Sequence, residues 1–258
     1  MKKPLIPIFL AALTLHATEP HLRSQDARAL AATLRESVLD GSSVTRLKLE
    51  TAAQAGGEKV VLQLLAKARR NPAGSDVLYQ VLWPKTRQGE GFLLQKPDNR
   101  PATGVHFTPP NTVAPVKLQD GIFGSALAYE DLVDDFFGWK SQELVGEETI
   151  GRVACRILES KPGPGQPSGY ASVRSWIDIR RTVPVRIEKY GAGGALVRRI
   201  TITRLNKDDI NRLIPSHFTV QRAGMAGETA LEGTSIKHDV TLTDADFTEA
   251  ALRSGAAP

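Results

Sequence analysis

Hydrophobic positions along the 258-residue chain change their period once. Over residues 24–39, Ala29, Leu30, Ala31, Leu34 and Val38 recur at helical spacing among good helix formers, and Asp40-Gly41-Ser42 ends the stretch with glycine just past it. One amphipathic helix is predicted there. Beyond it the period drops to two. Residues 44–52 and 59–69 flank Ala55-Gly56-Gly57-Glu58 and read as a hairpin, with Val60, Leu62, Leu64, Ala66 and Ala68 sharing one face of the second strand. Further strand-like runs cover 77–83, 91–95, 105–108 and 113–118, punctuated by Pro84, Pro97, Pro101, Pro109, Pro110 and Pro115. After a possible short helix at 129–136 the strand pattern resumes over 137–145, 152–160, 173–179, 183–190, 196–205, 213–220 and 234–242, and a helical turn at 244–252 closes the chain.

On the order of ten to twelve strands at hairpin spacing predict an antiparallel, mainly β protein. No fixed-period repeat appears, and no Gly/Ser-rich linker separates the halves, so residues 18–258 read as a single domain. So many antiparallel strands twist too strongly to stay flat. They close into a barrel, split into a sandwich or wrap around something, and the N-terminal helix and segment 121–136 are the candidates for that something. A curved sheet only partly filled by helix leaves an apolar concavity suited to a lipid-like ligand.

Composition narrows the class. Hydrophobic residues make up 41% and charged residues 24%, which is ordinary globular usage and excludes wholesale disorder. The single cysteine, Cys155, excludes an intrachain disulfide and a Cys-based metal cluster, and its alternation with Val153 and Ile157 marks it as a small buried hydrophobe. At the N-terminus Lys2 and Lys3 precede a short apolar run over 5–13 and then Thr14-Leu15-His16-Ala17, the layout of a secretory signal peptide with cleavage after Ala17. That run falls short of the roughly 20 residues a spanning helix needs. The mature protein is therefore expected to be exported, soluble and without a stable membrane anchor. Loss of Lys2 and Lys3 lowers its net charge from +5 to +3.

Catalytic chemistry is poorly represented. The five histidines, His16, His21, His106, His217 and His238, show no metal-binding spacing, so no metal and no cofactor is expected. Gly124-Ser125-Ala126 lacks the nucleophile-elbow pattern, and Gly191-Ala192-Gly193-Gly194 is a turn without the Lys-Ser/Thr pair of a phosphate cradle. The acidic pairs Glu147-Glu148, Asp134-Asp135 and Asp208-Asp209 read first as exposed turn residues. Basic residues concentrate at Arg180-Arg181, Arg186, Lys189, Arg198-Arg199 and Arg204. They read as the solvated outer face of strands, or alternatively as a surface meeting phospholipid heads or an acidic partner. Export makes nucleic acid an unsuitable partner.

Several short motifs occur in a telling order. Val105-His106-Phe107-Thr108-Pro109 is followed by Val116-Lys117-Leu118 and by Gly124-Ser125-Ala126-Leu127-Ala128-Tyr129-Glu130-Asp131-Leu132. Downstream come Ser175-Trp176-Ile177-Asp178, Pro184-Val185-Arg186-Ile187-Glu188-Lys189-Tyr190, Gly194-Ala195-Leu196, residues 235–240, Phe247-Thr248 and Leu252. This series resembles the bacterial outer-membrane lipoprotein-sorting family, which is similar to the periplasmic carrier LolA. The likeness extends over about residues 25–253. One departure stands at Ala126-Leu127-Ala128, where the family usually has Asp-Phe-Ser, so a polar contact made there by the acid is missing. The other is the proline-rich stretch 97–115, less regular than an ordinary strand pair.

The resemblance implies a strongly curved, half-open, barrel-like antiparallel sheet with a few helices covering or plugging its open side. It also implies a non-catalytic periplasmic function, in which the hollow shelters acyl chains of a lipoprotein or related lipid between an inner-membrane donor and an outer-membrane acceptor. Strand parity nominates Val60, Leu62, Leu64, Tyr79, Val81, Trp83, Phe92 and Leu94 to face the hollow, and Trp83, Phe92 and Trp139 are the aromatic residues best suited to line it. The same parity also serves a closed core. Two other readings stay open: an adaptor of a membrane lipid exporter whose hollow is filled by its own side chains, and a secreted hydrolase using His106, His217 or His238.

Overall fold

Period-two patterning becomes thirteen strands in one antiparallel sheet. The computed structural model describes residues 19–38, 41–52, 57–71, 74–98 and 100–255. The expected signal segment 1–17, and Ala55 and Gly56 of the first hairpin turn, lie outside the described residues. Helix α1 (Glu19–Val38) is followed by β1 (Ser42–Ala52), β2 (Lys59–Asn71), β3 (Gly74–Trp83), β4 (Gly91–Pro97), β5 (Thr103–Thr108) and β6 (Thr112–Pro115). The second half holds β7 (Ser141–Ile150), β8 (Val153–Lys161), β9 (Ser172–Asp178), β10 (Pro184–Tyr190), β11 (Leu196–Lys207), β12 (Leu213–Arg222) and β13 (Glu228–His238), then α2 (Glu249–Arg253).

Spatial order is β6-β5-β4-β3-β2-β1-β13-β12-β11-β10-β9-β8-β7. Each half of the chain is a run of hairpins, and the halves join where β1 pairs with β13. The sheet stays open, with β6 and β7 as its free edges. Register shifts at Arg46/Leu47, Gln63/Leu64, Leu144/Gly146 and Ile202–Leu205 bend it.

The chain passes directly from one free edge to the other. Residues 116–140 therefore have to cross the open side, and they do so over the concave face. This crossing segment is the plug. Its Ile122, Phe123, Leu127, Tyr129 and Val133 pack against Leu49, Leu62, Leu64, Val77, Val81, Phe92, Leu94, Val220 and Leu231 of the sheet. Instead of the helix expected at 129–136 it contains short 3-10 turns at Ile122–Gly124, Glu130–Leu132 and Phe136–Gly138. The strand expected from residue 137 begins only at Ser141, because Phe136, Phe137 and Trp139 turn inward to pack with Ala27, Ala31 and Leu34 of α1. The last strand starts earlier than its pattern indicates, at Glu228.

The opposite face carries two kinds of cover. Phe247 and Leu252 of the C-terminal segment pack on Leu78, Leu93 and Phe107, and the Gln80 Nε2 amide donates to the Leu252 carbonyl at 2.9 Å. On β8–β11 the same face is charged and paired. Arg199 meets Glu188 at 2.8 Å and Arg174 meets Glu159 at 2.9 Å, while Arg186 lies 5.4 Å from the Trp176 ring centroid. The outer-face reading holds for Arg186, Arg199 and Arg204. It fails for Lys189 and Arg198, which are 1% and 2% exposed on the concave side.

Inside the plug, Gly121 bridges Ala128, and a Cβ at Gly121 would lie 1.8 Å from the Ser125 carbonyl oxygen. No rotamer change relieves a clash with backbone. Gly121→Ala is therefore expected to cost about 1–3 kcal/mol or more, read as a lower urea midpoint. An unchanged midpoint would mean that the plug does not hold this loop geometry.

Candidate functional site

The plug is held to the sheet by ionic groups in the interior. Lys189 of β10 and Arg198 of β11 are register partners, two like charges side by side on the concave face. Like charges in that position repel. Asp131 of the plug enters between them, with Oδ1 2.8 Å from Lys189 Nζ and Oδ2 3.4 Å from Arg198 Nε. All three side chains are essentially closed to solvent. Burial alone would raise the Asp131 carboxyl, but the Lys189 and Arg198 charges outweigh it and hold the group below the usual carboxylate range. Tyr170 donates its hydroxyl hydrogen to Asp131 at 2.7 Å and accepts from Arg198 Nη1 at 2.6 Å, and burial followed by the Asp131 charge drives its own ionisation upward. Arg198 also donates to the main-chain oxygens of Ala126 (2.9 Å) and Gln119 (2.8 Å). Next to Asp131, Glu130 accepts from Gln119 and Ser168 at 3.1 Å and from the Gly169 amide at 2.5 Å.

Below this clamp the plug and sheet do not meet. A cavity of about 340 Å³ remains, walled mainly by apolar side chains including Ala68, Val77, Leu127, Ile187, Ile200 and Phe218. Its other side is ionic, with Arg35, Arg69, Arg70, Asp131, Asp134, Asp135 and Lys189. A smaller polar recess of about 220 Å³ shares Arg35, Arg70, Ser75, Asp134 and Asp135 with it. Asp135 is held by Arg35 at 2.6 Å and by Arg70 at 3.3 Å.

Asp134 differs from both neighbouring acids. Its side chain is 5% exposed, Lys189 lies 3.8 Å away, and its Oδ2 accepts no hydrogen bond from the protein. Burial, with the negative charges of Glu130, Asp131 and Asp135 overcoming the pull of Lys189, pushes its carboxyl up to about 7. Asp134 and Asp208 are thus buried, contrary to the reading of their acidic pairs as exposed turns.

None of the nine residues nominated from sequence lines this cavity. Leu62, Leu64, Val81, Phe92 and Leu94 belong to the closed core under the plug, and Tyr79 stacks on Phe92 with ring centroids 4.9 Å apart. Trp139 sits in the second cluster, against α1, and also lines the polar recess. Val60 and Trp83 are corrected outright, at 45% and 48% exposed. The irregularity between Gln63 and Leu64 explains Trp83: Gln63 pairs with Trp83 but Leu64 pairs with Val81, so parity flips and Trp83 shares the outward face of Gln63. Val60 keeps its parity but stands near the β1–β2 turn, outside the core.

Among the described residues, His106, His217 and His238 each bond to different partners. His106 lies between the Tyr129 hydroxyl (3.0 Å) and Glu90 (3.1 Å), and Glu90 also takes both hydrogen bonds of Arg87. Burial and the Glu90 charge push Tyr129 up to about 12, the opposite of an activated nucleophile. His217 bonds Thr203 and His238 bonds Asp209. Asp208, Asp209 and His238 do gather their ligand atoms within 4.8 Å, but the buried Asp208 already accepts from the Ile210 and Arg212 amides and from the Arg212 side chain as the cap of its turn. Cys155 is buried, as its alternation predicts.

A family model described as an uncharacterized protein matches residues 75–254. The chain belongs to that family. No curated protein matches it. Among solved structures, a DUF1329 family protein from Desulfovibrio piger superposes with a TM-score of 0.80 at 19% identity, over 89% of this chain and 99% of that one. An outer membrane lipoprotein-sorting protein domain from Vibrio parahaemolyticus gives 0.77 at 18% identity over 89% and 99%. A LolA superfamily protein from Nitrosomonas europaea gives 0.70 at 17% over 87% and 98%. The fold is LolA-like. Within this LolA-like fold the motifs that carried the resemblance fall on β5, the plug, β9, β10, the turn into β11, the end of β13 and the C-terminal segment with α2. At the departure, Ala126 makes its polar contacts through the main chain, its amide donating to Thr229 Oγ1 at 2.8 Å and its carbonyl accepting from Arg198.

Two substitutions separate the acids. Asp131→Asn leaves Lys189 and Arg198 uncompensated in the interior and is expected to lower stability by about 3–5 kcal/mol in urea, whereas Asp135→Asn at the partly exposed rim changes it by about 1 kcal/mol or less. Equal effects would refute the clamp. Asp134 behaves oppositely. Its native carboxyl binds the proton more tightly than the unfolded chain, whose value is near 3.8, so its contribution to stability falls as pH rises from about 4 to about 7. Asp134→Asn is expected to raise Tm at pH 8 and leave it nearly unchanged at pH 4, a difference on the order of 2–4 kcal/mol.

Proposed function

We propose that this protein is a non-catalytic periplasmic carrier that shelters an acyl chain of a lipoprotein or related lipid and delivers it toward the outer membrane. The observation that carries this reading is the apolar cavity left between plug and concave face, beside a polar recess at its rim. Each buried methylene contributes about 0.8 kcal/mol, so one chain in such a cavity provides useful affinity without any reaction. At about 340 Å³ the cavity lies at the lower end of ligand pockets, which limits the closed form to one chain; more would require the plug to move. A chain held this way leaves by transfer to another apolar site, hence the expected inner-membrane donor and outer-membrane acceptor. The signal segment expected from the sequence of residues 1–17 supports a periplasmic setting, and among the described residues no helix is long and apolar enough to cross a membrane.

The half of the hollow filled by Ile122, Phe123 and Tyr129 favours a second reading, an adaptor of a lipid exporter without cargo. Native mass spectrometry of the mature protein, purified without detergent, separates the two. A carrier is expected to retain a stoichiometric lipid or acylated peptide, or to take up added lipid when stripped. Ala68→Phe, which enlarges a half-buried wall residue opposite Val77, is expected to fold and to weaken uptake at least about tenfold. A clean apo mass that ignores added phospholipid and acylated peptide would favour the adaptor.

A further inference from the structure

At the cavity, the Asp134 carboxylate has one oxygen, Oδ2, that accepts no hydrogen bond from the protein. Asp131 is matched by Lys189 and Arg198, and Asp135 by Arg35 and Arg70, while Asp134 Oδ2 has no donor although its side chain is 95% withdrawn from solvent. Burying a carboxylate without donors is unfavourable, and buried acceptors in native proteins are nearly always satisfied. Asp134 is among the residues that line both the apolar cavity and the polar recess, where an acyl chain would end and a head group begin. Basic groups gather in the same recess. Arg35 and Arg70 both pair with Asp135, and burial works against the Arg70 cation while Asp135 and Asp98 favour it.

We propose that the cavity takes an acyl lipid whose head group carries a primary ammonium beside a phosphate, the ammonium donating to Asp134 and the phosphate lying against Arg35 and Arg70. This rests on the carrier reading and deepens it. An N–H donor satisfies the Asp134 carboxylate, and a phosphate accepts charge-assisted hydrogen bonds from two guanidiniums. A quaternary ammonium of equal charge supplies no N–H and leaves the oxygen unsatisfied. A head group with phosphate alone adds a second anion beside Asp134. The neighbouring Lys189 Nζ, 2.8 Å from Asp131 and 3.8 Å from Asp134, likewise has no hydrogen-bond partner in the protein.

The test compares lauroyl-lysophosphatidylethanolamine with lauroyl-lysophosphatidylcholine by calorimetric titration of the mature full chain, below the critical micelle concentration of each. The two probes share chain and phosphate and differ in N–H donors. The expected result is at least about tenfold tighter binding of the ethanolamine lipid, a preference that Asp134→Asn abolishes while choline-lipid affinity is kept. Arg70→Gln is expected to weaken both lipids together. Equal affinities in the wild type, or a preference that survives in Asp134→Asn, would overturn the head-group assignment and leave the carrier intact. Binding of neither lipid would overturn the carrier reading and this inference with it. N-acetylated lauroyl-lysophosphatidylethanolamine, which removes the ammonium from the ligand, decides the point without a protein variant: it is expected to bind about tenfold more weakly than its parent, and equal affinity overturns the proposal.

Discussion

The juxtaposition of Lys189 and Arg198 on the concave face is the constraint around which the interior is arranged. Antiparallel register sets them opposite each other, and both are essentially closed to solvent. In a sheet with an empty hollow these cations would face water. Once the plug covers them they require a carboxylate between them, because an uncompensated buried charge is among the most unfavourable features a fold can carry. Asp131 meets that requirement, and Tyr170 fixes the geometry by bonding to both sides of the pair. The chain that must cross from β6 to β7 for topological reasons is thereby given one particular height and rotation over the sheet. A hydrophobic plug alone would have many nearly equivalent positions; a buried ionic network has few.

That single position divides the hollow. On one side, Ile122, Phe123 and Tyr129 interlock with Phe92 and its neighbours, with ring centroids about 5 Å apart. Phe123 does this from a left-handed backbone conformation (φ 50°), uncommon for a bulky residue and held by packing on Phe92, His106 and Arg87. On the other side the plug turns away at its acidic run, and the apolar side chains of β2, β3, β10, β11 and β12 are left facing a void. The open space is thus a consequence of where the clamp pins the plug, and it lies beside the clamp rather than at the centre of the curved sheet.

Strand existence, antiparallel class and the inward face of β2–β4 were legible in alternation alone. The location of the cavity was not, because parity identifies which side chains point inward but not which of them something else covers. Trp83 shows a second limit: a one-residue irregularity beside Leu64 inverts parity and leaves no mark in composition. The buried cations did leave a mark. Lys189 falls in parity with Ile187, and Arg198 with Ile200 and Ile202, so each stands on the inward-facing apolar side of its strand. A cation on the apolar parity of a strand predicts an interior partner, and two of them in neighbouring strands predict a shared one. Asp134 had no such signal, since the irregular plug offers no period from which to read a direction.

Three acids in one short stretch of plug meet three different environments. Asp131 is fully neutralised and retains the plug, Asp135 is shared by two arginines at the rim, and Asp134 lies between them with only Lys189 in range. Their proximity makes them interdependent: the charges of Asp131 and Asp135 are among the causes that raise Asp134. A cation placed at Asp134 lowers the repulsion along the whole stretch and so tightens the plug over whatever lies beneath it. Removing that cation restores the repulsion. On the carrier reading, retention of the lid and recognition of the head group are therefore one electrostatic problem, solved within Asp131–Asp135.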